Sequence, residues 1–164
     1  MTGVTIRPAS RGDLDGALAL WTLLQREHEA QDPRYRMAGD AAARWTTDFR
    51  TWTRGHSSGV WVAEEADGTL VGLLTAHLAE PAPMYQGEPF VFVGEIVVAA
   101  GWRGRGVGGA LLNAARDWGR EVGAKEIRAG VLAANSPGQR FWEQEGGRAF
   151  STTVIVPLDP PRQP

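Results

Sequence analysis

A glycine-rich turn between an apolar segment and an amphipathic helical segment constrains this chain more than any other feature. Residues 90–99 are nearly all apolar apart from Glu95, and seven of the 21 glycines lie between Gly101 and Gly123. After the turn, apolar side chains recur at steps of three and four, which is typical of one helix face: Val107, Leu111, Ala115, Trp118 and Val122. This order predicts a buried central strand, covered on both faces, followed by a tight turn and a helix.

The other segments alternate between strand-like and helix-like patterns. A capping pair, Ser10 and Asp13, predicts a helix that ends near Asp32, before a proline. Further helices are predicted over 40–53 and 136–145, and strands over 4–7, 60–64, 70–78, 127–133 and 150–156. The chain is thus predicted to fold as one α/β domain with a mixed sheet over residues 1–156. Residues 157–164 contain four prolines and are predicted to form an extended or disordered tail.

Composition narrows the function classes. The 164 residues carry 17 basic and 19 acidic side chains, a net charge of −2, which argues against a nucleic-acid partner. With no cysteine, the chain cannot form disulfides, thiolate metal sites or a cysteine nucleophile. It has no apolar run long enough to span a membrane and no apolar segment typical of a secretion signal near its first residue. A cytoplasmic protein without a membrane partner is therefore expected.

The glycine-rich turn favours an anion. At the start of a helix several backbone N–H groups lack partners, and the helix dipole adds partial positive charge. Glycines at four of the six positions 104–109 let a phosphate approach the backbone, and Arg103 and Arg105 can add charge. The alternative is that the glycines only form the turn and pack the helix on the sheet.

Three phosphate motifs compete for this turn. A Walker loop requires Gly-Lys followed by Ser or Thr, and the turn contains no lysine. Gly104, Gly106 and Gly109 match the dinucleotide pattern G-x-G-x-x-G literally. However, residues 100–103 separate the strand from the glycines, and too few residues follow Asn135 for the remaining βαβ units. A coenzyme A loop is the third candidate.

Residues 98–112 resemble the acetyl-CoA motif of the GCN5-related N-acetyltransferases, whose signature is Arg/Gln-x-x-Gly-x-Gly/Ala. Arg103, Gly106 and Gly108 satisfy that signature. Downstream, Asn135 and Phe141 resemble the second block of the family. The resemblance extends over about residues 4–156 and implies a central, mostly antiparallel sheet with helices on both faces.

The resemblance also implies acetyl-CoA as the acetyl donor and a set of donor-binding residues. The backbone at the end of the central strand would hold the pantetheine and the acetyl carbonyl, the turn amides would hold the pyrophosphate, and a downstream amide and ring would contact the pantetheine arm. The residues are Val97, Val98, Arg103, Gly104, Arg105, Gly106, Val107, Gly108, Gly109, Asn135 and Phe141. The alternative for Asn135 is a helix N-cap, because Ser136 and Pro137 follow it.

Two residues are candidates for proton transfer. An acceptor amine must lose a proton before it attacks, and Glu95 is the only charged residue in the central strand, so it is the candidate base. The alternatives are a solvated cleft or a structural arginine partner for Glu95. Trp142 occupies the position of the family's tyrosine acid, and an indole cannot supply such a proton. Tyr85 or water would have to replace it.

The predicted function is N-acetyl transfer from acetyl-CoA to a primary amine, by direct attack in a ternary complex. The acceptor is a small molecule or a peptide whose identity the sequence leaves open. A polar cluster around His28 is either part of acceptor binding or a solvated helix face, and no metal is predicted because no second ligand shows metal spacing with this histidine. A non-catalytic acyl-CoA-binding module is the alternative from another class. Dimerisation is left open, since members of the family often dimerise.

Overall fold

A computed structural model describes residues 3–159 and forms a five-stranded sheet flanked by four α-helices. The strands are β1 (Val4–Pro8), β2 (Ser58–Glu65), β3 (Leu70–Ala79), β4 (Phe90–Val98) and β5 (Ile127–Ala129). The helices are α1 (Leu14–Gln31), α2 (Ala41–Trp52), α3 (Val107–Glu121) and α4 (Ser136–Gln144). Short 3₁₀ turns lie at Arg11–Asp13, Pro33–Tyr35 and Ala100–Trp102. The mixed sheet predicted from the sequence is confirmed.

The strands follow one another across the sheet in chain order. The pairs from β1 to β4 are antiparallel, whereas β4 and β5 run parallel. The parallel ladder is short: it joins residues 91–93 of β4 to residues 127–129 of β5. Beyond Val93, therefore, β4 continues toward the glycine-rich turn without β5 beside it.

A β-bulge in β4 determines which way its side chains point. Ala76 pairs with Val93 and Thr75 pairs with Glu95, so Gly94 is an extra residue in the ladder. Val93 contributes to the core beneath α3, and strict alternation would send residue 95 to that same face. Because of the bulge, Glu95 instead faces α2, where it meets Trp45.

The hydrophobic core has two layers, one on each face of the sheet. On one face, Val107, Leu111 and Ala115 of α3 are buried against β2, β3 and β4, which confirms the predicted apolar stripe of this helix. On the other face, α1 and α2 bury a cluster that includes Trp21 and Phe49. Each layer covers only part of its face.

Coverage of β4 is less complete than the sequence predicts. Phe92 is 40% exposed, and Gly94 is exposed as well. Both lie on the face of the sheet that α1 and α2 pack against. Because both are exposed, these two helices do not extend over the middle of β4. The prediction of a strand buried on both faces is therefore wrong at Phe92 and Gly94, whereas Val93, on the other face, is buried.

The predicted boundaries of the early elements agree with the structure. The side chain of Asp13 accepts a hydrogen bond from the backbone N–H of Ser10 (2.6 Å), which begins the first helical turns. The helix α1 ends at Gln31, because the next residue is extended and precedes Pro33. Gly68, with φ +89°, completes the turn between β2 and β3.

The end of the chain differs from the prediction. β5 contains three residues rather than the predicted seven, and residues 150–156, predicted to be a strand, form no strand and are exposed. A strand needs a neighbour to satisfy its backbone, and none lies beside this segment within residues 3–159. Of the predicted tail, residues 157–159 are exposed, and the rest lies outside the described residues. In the described part of the chain, no helix is long and apolar enough to cross a membrane.

Candidate active site

The glycine-rich turn forms an open backbone surface at the start of α3. Gly104 and Gly106 have φ values of +73° and +81°, a conformation that glycine adopts without strain. A Cβ atom at either position would meet nothing within 4 Å, so the turn faces open space. Gly106 is the N-cap of α3, and no side chain caps the helix. The first-turn amides, which lack intrahelical partners, are thus free to receive a phosphate.

The two arginines of the turn, Arg103 and Arg105, differ in their contacts. The guanidinium of Arg103 donates to the carbonyl oxygen of Val98 (2.8 Å) and to Glu27 Oε1 (2.6 Å) in α1. Its charge is therefore paired with a carboxylate rather than aimed over the turn. Arg105 stacks on the ring of Trp102, 5.0 Å from the centroid, and is exposed. Of the two, Arg105 has the side chain available to an anion.

The end of β4 directs some of its backbone groups away from β3, to the side that β5 does not cover, where the carbonyl oxygen of Val98 accepts a hydrogen bond from Arg103. Ala99 donates its N–H to Val71 of β3 (2.8 Å), so by alternation Val97 also directs its backbone groups toward β3. Val98 and Ile96 direct theirs the other way, where β5 has ended. Val97 is buried in the core, with its backbone on the β3 ladder, so Val98 is the better placed of the two predicted residues.

Glu95 is held by hydrogen bonds from neighbouring elements. The Nε1–H of Trp45 donates to Glu95 Oε1 (3.2 Å), and the hydroxyl of Thr75 donates to Oε2. The same hydroxyl accepts from the backbone N–H of Glu95 (3.1 Å). Trp45 also stacks on Trp21, with 5.3 Å between ring centroids. The carboxyl group is thus fixed against an aromatic wall, and no arginine pairs with it within residues 3–159.

Burial raises the pKa of Glu95 above its ordinary value. Hydrogen bonds from Thr75, Trp45 and Trp21 oppose this shift by favouring the ionised form, and the charge of Asp48 adds to it. A carboxylate whose pKa is raised is a stronger base than a solvated one. This is the property that proton abstraction from an ammonium group requires.

The open middle of β4 borders a histidine that the sequence analysis did not single out. The Nδ1 atom of His77 lies 3.2 Å from the Ser58 hydroxyl, and its ring packs edge-on against Trp52 at 4.8 Å. Its Nε2 would lie 3.6 Å from a Cβ built on Gly94. Burial lowers the pKa of His77, although Asp48 opposes the shift. The period-two spacing of Thr75 and His77 on β3 was the signal that could have identified both.

The other predicted proton-transfer residue lies elsewhere. Tyr85 is 68% exposed in the loop that joins β3 to β4, at the N-terminal end of β4. Glu95 and Val98 lie near the C-terminal end of that strand. The structure therefore does not bring Tyr85 together with the turn, because the loop and the turn lie at opposite ends of β4.

Of the two downstream residues, one caps α4 and the other lies against the start of α3. Asn135 caps α4, since its Oδ1 accepts from the N–H of Gly138 (2.9 Å), which leaves the amide nitrogen as its remaining donor. Phe141 lies against the start of α3, 3.0 Å from a Cβ built on Gly108. Trp142 packs edge-on against Phe141 and lines a cavity near Val91, at the far end of β4 from Val98.

Known proteins match most of the length of the chain. The sequence pattern of the acetyltransferase (GNAT) family matches residues 18–147. A mycothiol acetyltransferase of Propionibacterium freudenreichii subsp. shermanii is 33% identical over 134 residues, which cover 81% of this chain and 38% of that protein. The chain thus spans less than half the length of this curated relative.

Solved structures share the fold. The BH1408 protein of Bacillus halodurans, as a tetramutant, superimposes with a TM-score of 0.82 at 22% identity, covering 94% of this chain and 99% of that one. The aminoglycoside 6'-N-acetyltransferase AAC(6')-Ih of Acinetobacter baumannii superimposes with a TM-score of 0.76 at 18% sequence identity. The match covers 96% of this chain and 99% of that one. AAC(6')-Iy in complex with a bisubstrate analog, CoA-S-monomethyl-acetylneamine, has a TM-score of 0.71 at 20% sequence identity. This match covers 95% of this chain and 98% of that one.

Proposed function

Because the chain belongs to the acetyltransferase (GNAT) family, we propose that it transfers the acetyl group of acetyl-CoA to a primary amine by direct attack in a ternary complex. One observation carries this proposal. The part of β4 beyond β5 combines the backbone N–H of Val98, which points away from β3, with the half-buried carboxyl of Glu95, and it leads directly into the open glycine-rich turn. A donor site and a base thus lie on one strand.

The residues present fit the phosphate end of acetyl-CoA, which supplies an activated thioester. The amides of residues 104–109 receive the pyrophosphate, and Arg105 adds positive charge from the side. Gly104 and Gly106 carry no side chain that could cover this surface, and their positive φ values favour glycine at both positions. The Nδ2 of Asn135 is the donor left for the pantetheine arm, beside Phe141.

The acceptor amine binds at the open middle of β4. An alkylammonium has a pKa near 10.4, so it arrives protonated at neutral pH. Glu95 accepts this proton, directly or through a water molecule. The amine lone pair then forms a bond to the acetyl carbon, and the backbone N–H of Val98 stabilises the oxyanion that develops. The C–S bond breaks, and coenzyme A leaves as a thiolate, for which a pKa near 8.5 demands little acid assistance. The nitrogen gives up its second proton to the departing thiolate, directly or through water, which leaves the neutral amide and the free thiol.

The chemistry of this cleft favours a cationic, small-molecule acceptor. Phe92 and Trp52 supply aromatic surface, and Asp48 acts electrostatically on both His77 and Glu95. Acidic and aromatic groups together suit an ammonium carried on a ring or a short chain. Aminoglycosides are therefore included among the acceptors to test, since two of the structural neighbours are named for them.

The experiment is an acceptor screen that follows free thiol. The protein is incubated with acetyl-CoA and a panel of aminoglycosides, diamines, amino sugars and peptides. We expect turnover with at least one amine, and a loss of roughly 10²–10⁴-fold in kcat for Glu95→Gln. Glu121→Gln, at the exposed end of α3, is the matched control and should be unchanged.

Two results would contradict the proposal. If acetyl-CoA binds but no amine of the panel is acetylated, the chain is better described as an acyl-CoA-binding module. An unchanged rate for Glu95→Gln at pH 7 would remove this residue from the reaction. The loss should also shrink as the pH rises, because more of the acceptor then arrives neutral.

A further inference from the structure

His77 presents one ring nitrogen to the open middle of β4. The other nitrogen, Nδ1, lies 3.2 Å from the hydroxyl of Ser58, and the ring packs edge-on against Trp52 at 4.8 Å, so the ring is held in one orientation. The Nε2 atom has no hydrogen-bond partner within residues 3–159. Because Gln31 Oε1 is the one fully buried side-chain atom without a partner in the described chain, Nε2 must reach solvent.

Gly94 leaves the space in front of this nitrogen empty. A Cβ atom at Gly94 would lie 3.6 Å from His77 Nε2 and 3.1 Å from the hydroxyl oxygen of Thr75. These two polar atoms therefore border the same gap and are separated by no more than the sum of the two distances. The Thr75 hydroxyl also holds the carboxyl group of Glu95. The proposed base and the unpartnered histidine nitrogen thus border one continuous open surface.

Asp48 brings a carboxylate to the same surface. Trp45, Asp48 and Trp52 follow one another at steps of three and four in α2, which places them on one side of the helix. Trp45 contacts Glu95, and Trp52 contacts His77. The charge of Asp48 acts on both of these titratable groups, so it lies close to each. The residue is exposed and forms no ion pair within residues 3–159.

The neighbouring side chains on this face of the sheet also suit a positive charge. Phe92, opposite the histidine in the ladder of β3 and β4, is 40% exposed and offers aromatic surface. Arg128, beside Phe92 on β5, is turned to the ring of Phe90 (3.9 Å) and donates to Glu126 (2.7 Å). Because that guanidinium is paired, the two carboxylates of the cleft leave its surface with an excess of negative charge.

At neutral pH the imidazole of His77 is uncharged and can accept a hydrogen bond. Burial lowers its pKa below the ordinary 6.5, although the charge of Asp48 opposes this shift. When Nδ1 carries the ring proton and donates it to the Ser58 oxygen, Nε2 keeps its lone pair. A lone pair, a carboxylate and an aromatic ring are all groups that bind an ammonium.

We propose that His77 and Asp48 form a second acceptor subsite, which binds a distal ammonium group while Glu95 faces the amine that reacts. This inference rests on the proposed acetyl transfer, and it narrows the acceptor class to diamines. Side chains two residues apart on a strand lie roughly 7 Å apart, a distance that a saturated chain of about four or five carbons between two nitrogens spans.

The subsite determines specificity and takes no part in the reaction itself. A distal ammonium is bound equally well before and during acetyl transfer, because its charge does not change. Its contacts therefore lower the KM for the diamine and leave kcat unchanged. A catalytic role for either residue would instead lower kcat for every amine.

The test compares 1,4-diaminobutane with pentylamine, in which a methyl group replaces the second ammonium. Calorimetry measures the binding of each amine to the protein saturated with coenzyme A, and release of free thiol from acetyl-CoA gives kcat and KM. Asp48→Asn removes the charge at an exposed position, and His77→Phe removes Nε2 but keeps a ring against Trp52. Asp117→Asn, whose side chain is 73% exposed on α3, is the matched control.

We expect the wild type and Asp117→Asn to have a KM for the diamine at least about 10-fold below that for pentylamine, with similar kcat. Asp48→Asn and His77→Phe should each raise the KM for the diamine roughly 5–10-fold and change that for pentylamine less than about 2-fold. Unaltered pentylamine turnover also shows that a variant is folded. If His77→Phe lost it, Asp48→Asn alone would decide.

Two results would overturn the subsite: equal binding of the two amines by the wild type, or a diamine preference that persists in Asp48→Asn. Failure of the proposed function has a different signature. If the diamine binds more tightly than pentylamine and this preference depends on Asp48, but neither amine is acetylated, the subsite stands and acetyl transfer to such amines is contradicted.

Discussion

The carboxyl group of Glu95 lies in surroundings that oppose its ionisation. The aromatic rings of Trp21 and Trp45 exclude water from it, and this burial raises its pKa. The hydrogen bonds from Thr75 and Trp45 hold the group in place, so the proposed base is oriented before any acceptor arrives. The burial that makes Glu95 a stronger base therefore also lowers the free energy of unfolding at neutral pH, where the carboxyl group is ionised.

Glu95→Gln should therefore stabilise the fold in a pH-dependent way. The pKa is higher in the folded chain than the ordinary value of 4.5. Below that value both states hold the proton and nothing is lost, whereas stability falls as the pH rises through the folded pKa. We expect Glu95→Gln to raise the Tm at pH 7.5 and to change it little at pH 4. The control variant Glu121→Gln should leave the Tm of the wild type unchanged at both pH values. A lower Tm for Glu95→Gln at pH 7.5 would mean that hydrogen bonding outweighs burial.

Trp142, at the position of the family's tyrosine acid, and Tyr85, its suggested replacement, should take no part in proton transfer. Trp142 lies beside the cavity near Val91, and Tyr85 is exposed in the loop before β4, so both are remote from Val98. Trp142→Phe is expected to lower stability by about 1 kcal/mol, because the ring is only half-buried. Neither Trp142→Phe nor Tyr85→Phe should alter the pH–rate profile of acetyl transfer. Loss of an alkaline limb in one of them would identify it as the acid.

At the scale of elements, the sequence predicts those strands, turns and helices that depend on residues adjacent in the chain. The β4–turn–α3 unit is predictable because an apolar run, glycines and a helical stripe are adjacent in the chain. The bulge at Gly94 is not, since it depends on how β4 registers with β3. The sequence therefore identifies Glu95 as unusual, but the bulge decides that it faces α2 and the open cleft.

A cluster of ion pairs around Arg7 joins β1, β2 and the start of α1. Arg7 donates two hydrogen bonds to Asp13 (2.8 and 2.7 Å) and one to Glu64 (2.6 Å). The hydrogen bonds from Arg7 lower the pKa of Asp13 to about 2. One guanidinium thus anchors the first helical turn to two strands.

Asp13→Asn should weaken this junction. Because the pKa is lowered in the folded chain, the stabilisation is fully present above the unfolded pKa near 4 and is lost as the pH falls through about 2. We expect a loss of about 1–2 kcal/mol at pH 7, allowing for solvent screening, and a difference that shrinks toward pH 2. Denaturant unfolding at several pH values measures it. Asp117→Asn, whose side chain is 73% exposed, should show no such trend.

At the scale of the whole molecule, the two ends of the sheet differ in how well the sequence predicts them. β1 pairs with β2 over five positions, and its prediction is confirmed. Beyond β4, only three residues of β5 pair, and the strand predicted over 150–156 has no partner. The β-branched composition of this segment favours an extended chain. A strand also needs a neighbouring strand, which composition does not provide, so this prediction is wrong for the structure.

Binding of the donor should stabilise the whole molecule through the start of α3. Acetyl-CoA at about 100 times its Kd would add about 2.7 kcal/mol to the free energy of unfolding, or roughly 5–11 °C in Tm for a domain of this size. Gly106→Val should abolish this shift, because a branched side chain would cover the turn amides. It also introduces strain at φ +81°.

Gly123→Val is the matched control at the other end of α3. Its φ is +82°, and a Cβ there also meets nothing within 4 Å, so the strain introduced is the same while the turn remains open. Both variants should therefore have similarly lowered Tm values without ligand, and only Gly123→Val should regain the full shift with acetyl-CoA. Differential scanning calorimetry with and without the ligand measures both effects. If Gly106→Val kept the shift, or if NADH produced it and acetyl-CoA did not, the turn would not be the acetyl-CoA site.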